Sequence, residues 1–315
     1  MQKQPLVSFI IPIYNIKPEM LCQCIESIMA LSLGQQEREI IIVDDGSDNA
    51  AAVATADHAD DILYIRQRHK GMAAARNIGL RVSTAQFIQF IDGNDTILGA
   101  PYEHCLDIVR YHNPDIVYFD STTDKNDVET PFTYNGPMPG SEYMRNNDIR
   151  STVCGYIFER KALGKMLFTE DDSDNNEEFT TQLFLRSERF YSTDSKAYHH
   201  SKDHGEQEHK HYNKRNTTQS FIETERMLVH LQSLFVPEAD RAALNRRIAG
   251  LTMQYLCDII RFTHSHKILG EAIDRLRTHG LYPLPDKEYT RKYKYFRKMI
   301  GNPITRGLLF VLIRK

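Results

Sequence analysis

The chain has 315 residues, 41% of them hydrophobic and 26% charged, with a formal net charge of −3. That length and apolar content can supply a core for one large domain or two smaller ones, and the near-neutral charge removes any general case for nucleic-acid binding. Five scattered cysteines, Cys22, Cys24, Cys105, Cys154 and Cys257, suit neither a disulfide framework nor a paired-thiolate zinc site, and predict a reducing, cytoplasmic setting.

The apolar run in "MQKQPLVSFIIPIYN" is cut short by Pro12, which argues against a signal peptide. No stretch approaches the roughly 18–20 apolar residues of a membrane span, so an integral membrane protein is not expected. Five apolar, β-rich runs follow one another: "LVSFIIPI", "EIIIVDD", "DILYIRQ", "QFIQFID" and "DIVYFD". Helical spacing of Met20, Leu21, Cys24, Ile25 and Ile28 separates the first two, and "GMAAARNIGLRVS" separates the third and fourth. Alternation of this kind, with strands apolar on both faces, predicts an α/β fold with a mainly parallel sheet flanked by helices.

In such sheets ligands bind outside the carboxyl ends of the strands. Three of those ends are polar here: "IPIYN", "VDDGSDN" and "IDGNDTI". Each alone also reads as a turn with a helix N-cap, as Ser47, Asp48 and Asn49 would suit. Three polar ends at one crevice favour a shared ligand.

Residues 121–150 read as a connection with short elements. "TVCGYIFERKALGKM" reads as a strand entering a helix, "EDDSDNNEE" as an acidic loop containing Asp171, Asp172 and Asp174, "EEFTTQLFLRS" as a helix and "RFYSTDSKAYHH" as a strand. Apolar stripes in "SFIETERMLVHLQSLF", "RRIAGLTMQYLCDIIRF" and "KILGEAIDRLRTHG" predict a C-terminal helical appendage. The chain is thus divided into 1–120, 121–213 and 214–315. His199, His200, His204, His209 and His211 crowd one segment, which reads as a loop in preference to a metal site. From Tyr289 to Lys315 there are eight Lys or Arg and no acid, ending in "TRGLLFVLIRK". That end suits either docking on an anionic membrane surface or a helix packed back on the domain.

Taken in order, "VSFIIPIYN", "EIIIVDDGSDN", "KGMAAARNIGL" and "FIQFIDGND" resemble the N-terminal half of the family 2 glycosyltransferases with a GT-A fold. The likeness is strong over about residues 6–100 and looser over about 150–200. It implies a nucleotide-sugar donor, usually a UDP-sugar, and a glycan or lipid-linked acceptor, with the cytoplasm or the inner membrane face as the place of work. Residues 1–120 would form the nucleotide-sugar half and 121–213 the acceptor and catalytic-base half.

By the same resemblance Pro12, Tyr14, Asn15, Asp44 and Asp45 fall where the nucleoside is held, and Arg76 where base or phosphates are reached, although Arg76 also reads as a surface helix residue. Asp92, Gly93, Asn94 and Asp95 correspond to the family's D-x-D element, which holds Mg²⁺ or Mn²⁺ against the donor diphosphate. Asn94 stands where the pattern has its second acid, so one charge is missing from the cation site. Glu177 and Glu178 take the place of a Glu-Asp pair, with Glu178 at the general base. These two acids equally suit a helix N-terminus stabilised by its dipole. A nucleotide-sugar-binding protein without turnover is the alternative. A dinucleotide oxidoreductase ranks behind both, since "PIYN" stands where a G-x-G-x-x-G turn would be.

Overall fold

The computed structural model describes residues 4–49, 58–127, 130–150, 152–170, 176–201 and 214–313. The chain divides into two compact units, Met1–Tyr143 with Ile149–Lys210, and Met144–Asp148 with His211–Lys315. In chain order the first carries β1 (Val7–Ile13), α1 (Pro18–Met29), β2 (Arg38–Asp44), β3 (Ile62–Arg66), α2 (Met72–Val82), β4 (Phe87–Phe90), β5 (Thr96–Ile97), α3 (Gly99–His112), β6 (Ile116–Thr122) and β7 (Tyr134–Met138). After α4 (Gly140–Asn146) come β8 (Tyr156–Glu159), a 3₁₀ turn (Arg160–Leu163), α5 (Asn176–Leu185) and β9 (Phe190–His199).

Among the described residues nine strands join one sheet in the order β3-β2-β1-β4-β8-β6-β9-β5, with β7 also on β9. The parallel arrangement expected from the apolar runs holds for β3, β2, β1 and β4. Beyond β4 the sheet is mixed: β8 runs antiparallel to β4 and β6, β5 and β7 run antiparallel to β9, and β6 and β9 are parallel. A parallel neighbour needs a long crossover. The two-residue β5 is separated from β4 by five residues and is taken up by β9 instead.

β1 is buried along its whole length, and α2 crosses it closely because a Cβ at Gly79 would stand 2.3 Å from Ile10 Cγ2. Phe90, Phe158, Phe168 and Phe179 form one aromatic cluster, with Phe168 and Phe179 stacked at 4.0 Å. The helix expected within "TVCGYIFERKALGKM" is only the 3₁₀ turn, since Gly164, at φ +56, ends it after four residues.

The second unit contains α6 (Lys214–Ser233), α7 (Glu238–Thr263), α8 (His266–Thr278), α9 (Arg291–Gly301) and α10 (Pro303–Leu312). A buried carboxylate joins the first three: Glu225 of α6 accepts from Tyr255 of α7 at 3.1 Å and from Arg275 of α8 at 2.9 Å. Opposite charge and a phenol donor offset the cost of burying it. The basic tail breaks into two helices at Asn302-Pro303, where Asn302 Oδ1 accepts from Ile304 N–H and Pro303 begins the next helix.

Candidate active site

The ends of β1 and β2 are tied together. Asn15 adopts a left-handed backbone (φ 49), and its N–H donates to Ser47 Oγ at 2.9 Å. Its carboxamide exchanges two hydrogen bonds with Asp48, at 3.1 and 2.8 Å. The expected ligand residue Asn15 thus holds two loops in register. Pro12 lies inside β1, buried and paired with Val43. Ile10 O accepts from Ile91 N–H and Ile13 O from Asp45 N–H, so strand alternation points the missing N–H of Pro12 to the β4 side. The β1–β4 ladder has already ended there, at Ile10, so a central-strand proline costs no ladder bond.

Asp44 and Asp45 are fully buried. Asp44 accepts from Ser47 N–H at 2.8 Å and from Tyr64 OH, with Arg66 Nε at 3.7 Å. Burial alone would raise its carboxyl, but the Tyr64 and Ser47 hydrogen bonds and the Arg66 charge outweigh it and hold the pKa below the ordinary carboxylate value. Asp45 is more fully engaged. Oδ1 accepts from Gln67 Nε2 at 2.5 Å and Lys70 N–H at 2.8 Å, while Oδ2 accepts from Gly71 N–H at 2.8 Å and faces His69 Nδ1 at 2.8 Å. A carboxylate has about four acceptor sites, and all are used.

Asp45 is therefore the clasp that closes the 67–71 segment over β2, a duty that the nucleoside assignment did not include. Gly46 makes that closure possible: it has φ +80, and a Cβ there would lie 2.8 Å from His69 N. The clasp also sets His69 against Tyr14, ring centroids 4.2 Å apart and stacked. Tyr14 is 43% exposed, so an aromatic surface stands at the end of β1.

Arg76 of α2 is not a surface residue, its side chain being only 5% exposed. Nη1 donates to Asn176 Oδ1 at 2.9 Å, Nη2 lies 3.8 Å from Asp92 Oδ1, and the guanidinium sits 5.5 Å over the Phe168 ring. The next residue, Asn77, fixes residues 168–170 by bonds to Phe168 O, Phe168 N and Glu170. Consecutive α2 residues thus anchor the chain entering α5 and link its first residue to the β4 loop.

The four residues of that loop have different surroundings. Asp92, with a side chain 30% exposed, faces Arg76, and its N–H donates to Tyr198 OH at 3.0 Å. Gly93 packs under the β1 loop, where a Cβ would stand 2.7 Å from Ile16 Cδ1 and 2.8 Å from Ile13 Cγ2. Asn94 lines a cavity of about 360 Å³ with Met20, Gln23, Lys125 and His199 among its other walls. Asp95 is buried and bound to the end of β9, by Ser201 N–H at 2.8 Å and His200 Nδ1 at 3.1 Å. Among the described residues no three His, Cys, Asp or Glu side chains form a set able to hold a metal ion. Of the expected cation ligands, Asp92 is turned to Arg76, Asn94 to the cavity and Asp95 to the end of β9.

Glu177 and Glu178 are half-buried in the first turn of α5. Glu178 accepts from Thr169 Oγ1 at 3.2 Å and Gln182 Nε2 at 3.3 Å. Asn176, which the sequence reading passed over, is the α5 residue that meets Arg76. His69, Gln67 and Tyr64 were passed over as well; the one signal for Asn176 was its place directly before the acidic pair. His199 ends β9 and His200 follows it, with His199 Nδ1 3.3 Å from Thr96 Oγ1. Asp171, Asp172, Asp174, His204, His209 and His211 lie outside the described residues.

This is the layout of an α/β protein that receives ligands beyond the carboxyl ends of its strands, with aromatic, carboxylate and guanidinium groups gathered there. The chain belongs to glycosyl transferase family 2, whose model matches residues 8–168, just over half of its length. It is 26% identical over 210 residues to the uncharacterized glycosyltransferase EpsJ of Bacillus subtilis (strain 168), covering 62% of this chain and 60% of that protein. To the minor teichoic acid biosynthesis protein GgaB of the same organism it is 23% identical over 204 residues, 61% of this chain but 22% of that one. The matched stretch thus spans less than two thirds of either relative. Among solved structures, S. aureus TarS 1-349 in complex with UDP-GlcNAc superposes with a TM-score of 0.62 at 17% identity, covering 93% of this chain and 91% of that one. The mannosyltransferase PcManGT from Pyrobaculum calidifontis, in complex with GDP-Man and Mn²⁺, gives 0.57 at 12% identity over 99% and 85%. At these identities the two likenesses establish the GT-A type of fold and nothing finer.

Proposed function

We propose that this protein transfers a sugar from a nucleotide-sugar donor, a UDP-sugar, to an acceptor hydroxyl with inversion at the anomeric carbon. The product belongs to cell-surface polysaccharide or lipopolysaccharide, and the acceptor is a glycan or lipid-linked chain met in the cytoplasm at the inner membrane face. The observation that carries this reading is Arg76, buried and held between Asp92 of the β4 loop and Asn176 of α5, together with the exposed ring of Tyr14 stacked on His69 at the end of β1. UDP-GlcNAc in TarS and GDP-Man in PcManGT support it from related folds.

In this reading residues 1–120 hold the donor and 121–213 supply the acceptor side. The base lies on Tyr14, Asp44 and Asp45 fix the loops around the nucleoside, and Arg76 neutralises the diphosphate. The acceptor oxygen bonds to the anomeric carbon as the bond from that carbon to the diphosphate oxygen breaks. Its electron pair leaves with the nucleoside diphosphate, and the acceptor proton passes to Glu178, with Glu177 beside it. Of the expected cation ligands Asp92 is the one that fits, because Mg²⁺ and similar ions take one or two carboxylates together with substrate phosphates. A divalent ion held there would add positive charge against the leaving diphosphate.

A second reading, donor binding without turnover, is favoured by one observation: Asn94 and Asn176 place neutral carboxamides in the β4 loop and against Arg76. The test is calorimetric binding of UDP- and GDP-sugars with and without Mn²⁺, paired with release of free nucleotide. Donor-dependent UDP release that Glu178→Gln removes supports transfer. Binding with no release, unchanged by that substitution, leaves only the second reading, and absence of binding ends both.

A further inference from the structure

Among the described residues α10 is held from one side only. Leu309 is its buried residue, Phe310 stacks near His266 with ring centroids 3.9 Å apart, and Arg306 Nε donates to Ile300 O of α9 at 2.9 Å. Ile304, Leu308, Val311 and Leu312, spaced 4, 3 and 1 residues apart, form a second face of the helix and are 87%, 54%, 61% and 67% exposed. One exposed apolar residue is ordinary, whereas four on a single helical face mark a surface made to be covered.

The neighbouring helix indicates what covers it. α9 buries Tyr293, Phe296 and Ile300 and leaves Arg291, Lys292, Tyr295 and Lys298 exposed. From Asp286 to Arg306 there are seven Lys or Arg against two acids. Both acids are engaged, Glu288 with Lys294 at 2.5 Å and Asp286 with Arg297. An apolar helical face next to a helix rich in cations, which also exposes a tyrosine, is complementary to a lipid surface with negative headgroups. None of the helices among the described residues is long and apolar enough to cross a membrane, which leaves binding in the plane of the surface.

We propose that α9 and α10 form a peripheral membrane-docking surface, with Ile304, Leu308, Val311 and Leu312 inserted among the acyl chains and Arg291, Lys292 and Lys298 on anionic headgroups. It deepens the reading of a lipid-linked acceptor and rests on that reading only for its purpose. Docking needs neither donor nor turnover, so the two fail separately.

The full chain is floated with phosphatidylcholine vesicles with and without phosphatidylglycerol, at low and high salt. Binding is expected to the anionic vesicles, to weaken as salt rises, and to fall at least about tenfold with Leu308→Asp/Leu312→Asp. Arg291→Glu/Lys292→Glu/Lys298→Glu should lower it on the order of a hundredfold, at roughly fivefold per cation. Both sets of positions are exposed, and unchanged thermal melts check the fold. Equal binding to neutral and anionic vesicles overturns the proposal. So does no vesicle binding, whether the apolar face then proves to join a second copy, seen as a concentration-dependent dimer that Leu308→Asp/Leu312→Asp abolishes, or leaves the chain a monomer.

Discussion

Replacing Asp45 by Asn separates a structural duty from a ligand contact. A backbone donor stands on each carboxylate oxygen, Lys70 N–H on Oδ1 and Gly71 N–H on Oδ2, both at 2.8 Å. Either orientation of the new carboxamide therefore sets its NH₂ against a backbone N–H, and no flip avoids the conflict. Losing one such bond to a charged acceptor costs about 1.5–3 kcal/mol. Lys70 and Gly71 are not buried, so water recovers part of that and the low end applies. The expected result is local: exchange of the Lys70 and Gly71 amides with deuterium accelerates roughly tenfold for each 1.4 kcal/mol of lost protection, while β1 and β4 amides are unchanged. Nucleotide affinity falls only as far as the segment loosens. Unchanged protection at residues 70 and 71 together with loss of UDP binding would refute the clasp and return Asp45 to the ligand.

Arg76→Lys keeps the charge but loses the fork that reaches Asn176 and Asp92. UDP affinity should drop roughly 10- to 100-fold, with uridine affinity unchanged, by calorimetry; equal losses for both would place Arg76 away from the phosphates. His199 gives a pH signature. Burial, and then the positive charge of Lys125, pushes its pKa below the ordinary histidine value. The unfolded chain therefore takes up this proton first as pH falls, and stability declines from about pH 6.5 downward through the folded pKa. His199→Gln should flatten the melting temperature between about pH 6.5 and 5. An unaltered slope would assign that dependence to other groups.

The parallel half of the sheet was legible because its strands are apolar runs ended by polar loops, a pattern imposed by burial on both faces. The antiparallel half was not, since its order depends on long-range pairing: β5 is a dipeptide that had been read as the tail of "IDGNDTI", and it exists by virtue of β9. Nor does adjacency in sequence show where Asp92, Asn94 and Asp95 turn their side chains. A tight turn sends successive side chains in different directions, and here Asp92 went to Arg76, Asn94 to a cavity wall and Asp95 to the end of β9. Arg76 had been given a surface alternative because an arginine amid "AAARN" shows no partner until α5 is folded against it. His69 likewise becomes an aromatic neighbour of Tyr14 only through the Asp45 clasp.

Asn176 is the residue on which the electrostatics of the site turns. Arg76 faces the Asp92 carboxylate and the Asn176 carboxamide oxygen, and Asn176 adds no charge to that ion pair. A diphosphate arriving beside Arg76 would meet the Asp92 carboxylate. Asn176→Asp would add a carboxylate there, and at about 4 Å a further unit charge is worth up to about 4 kcal/mol at the effective dielectric of a protein surface. Without added cation, UDP binding to the variant should weaken at least about tenfold. Mn²⁺ should restore more of it than in the parent chain, because a second carboxylate beside Asp92 supplies the ligand that Asp95, engaged by His200 and Ser201, does not. The contrast between parent and variant in the ratio of UDP affinities with and without Mn²⁺ is the measurement. An identical ratio in the two proteins would show that residue 176 does not sense the diphosphate, and Glu178 would then keep the acceptor side of the site without this neighbour.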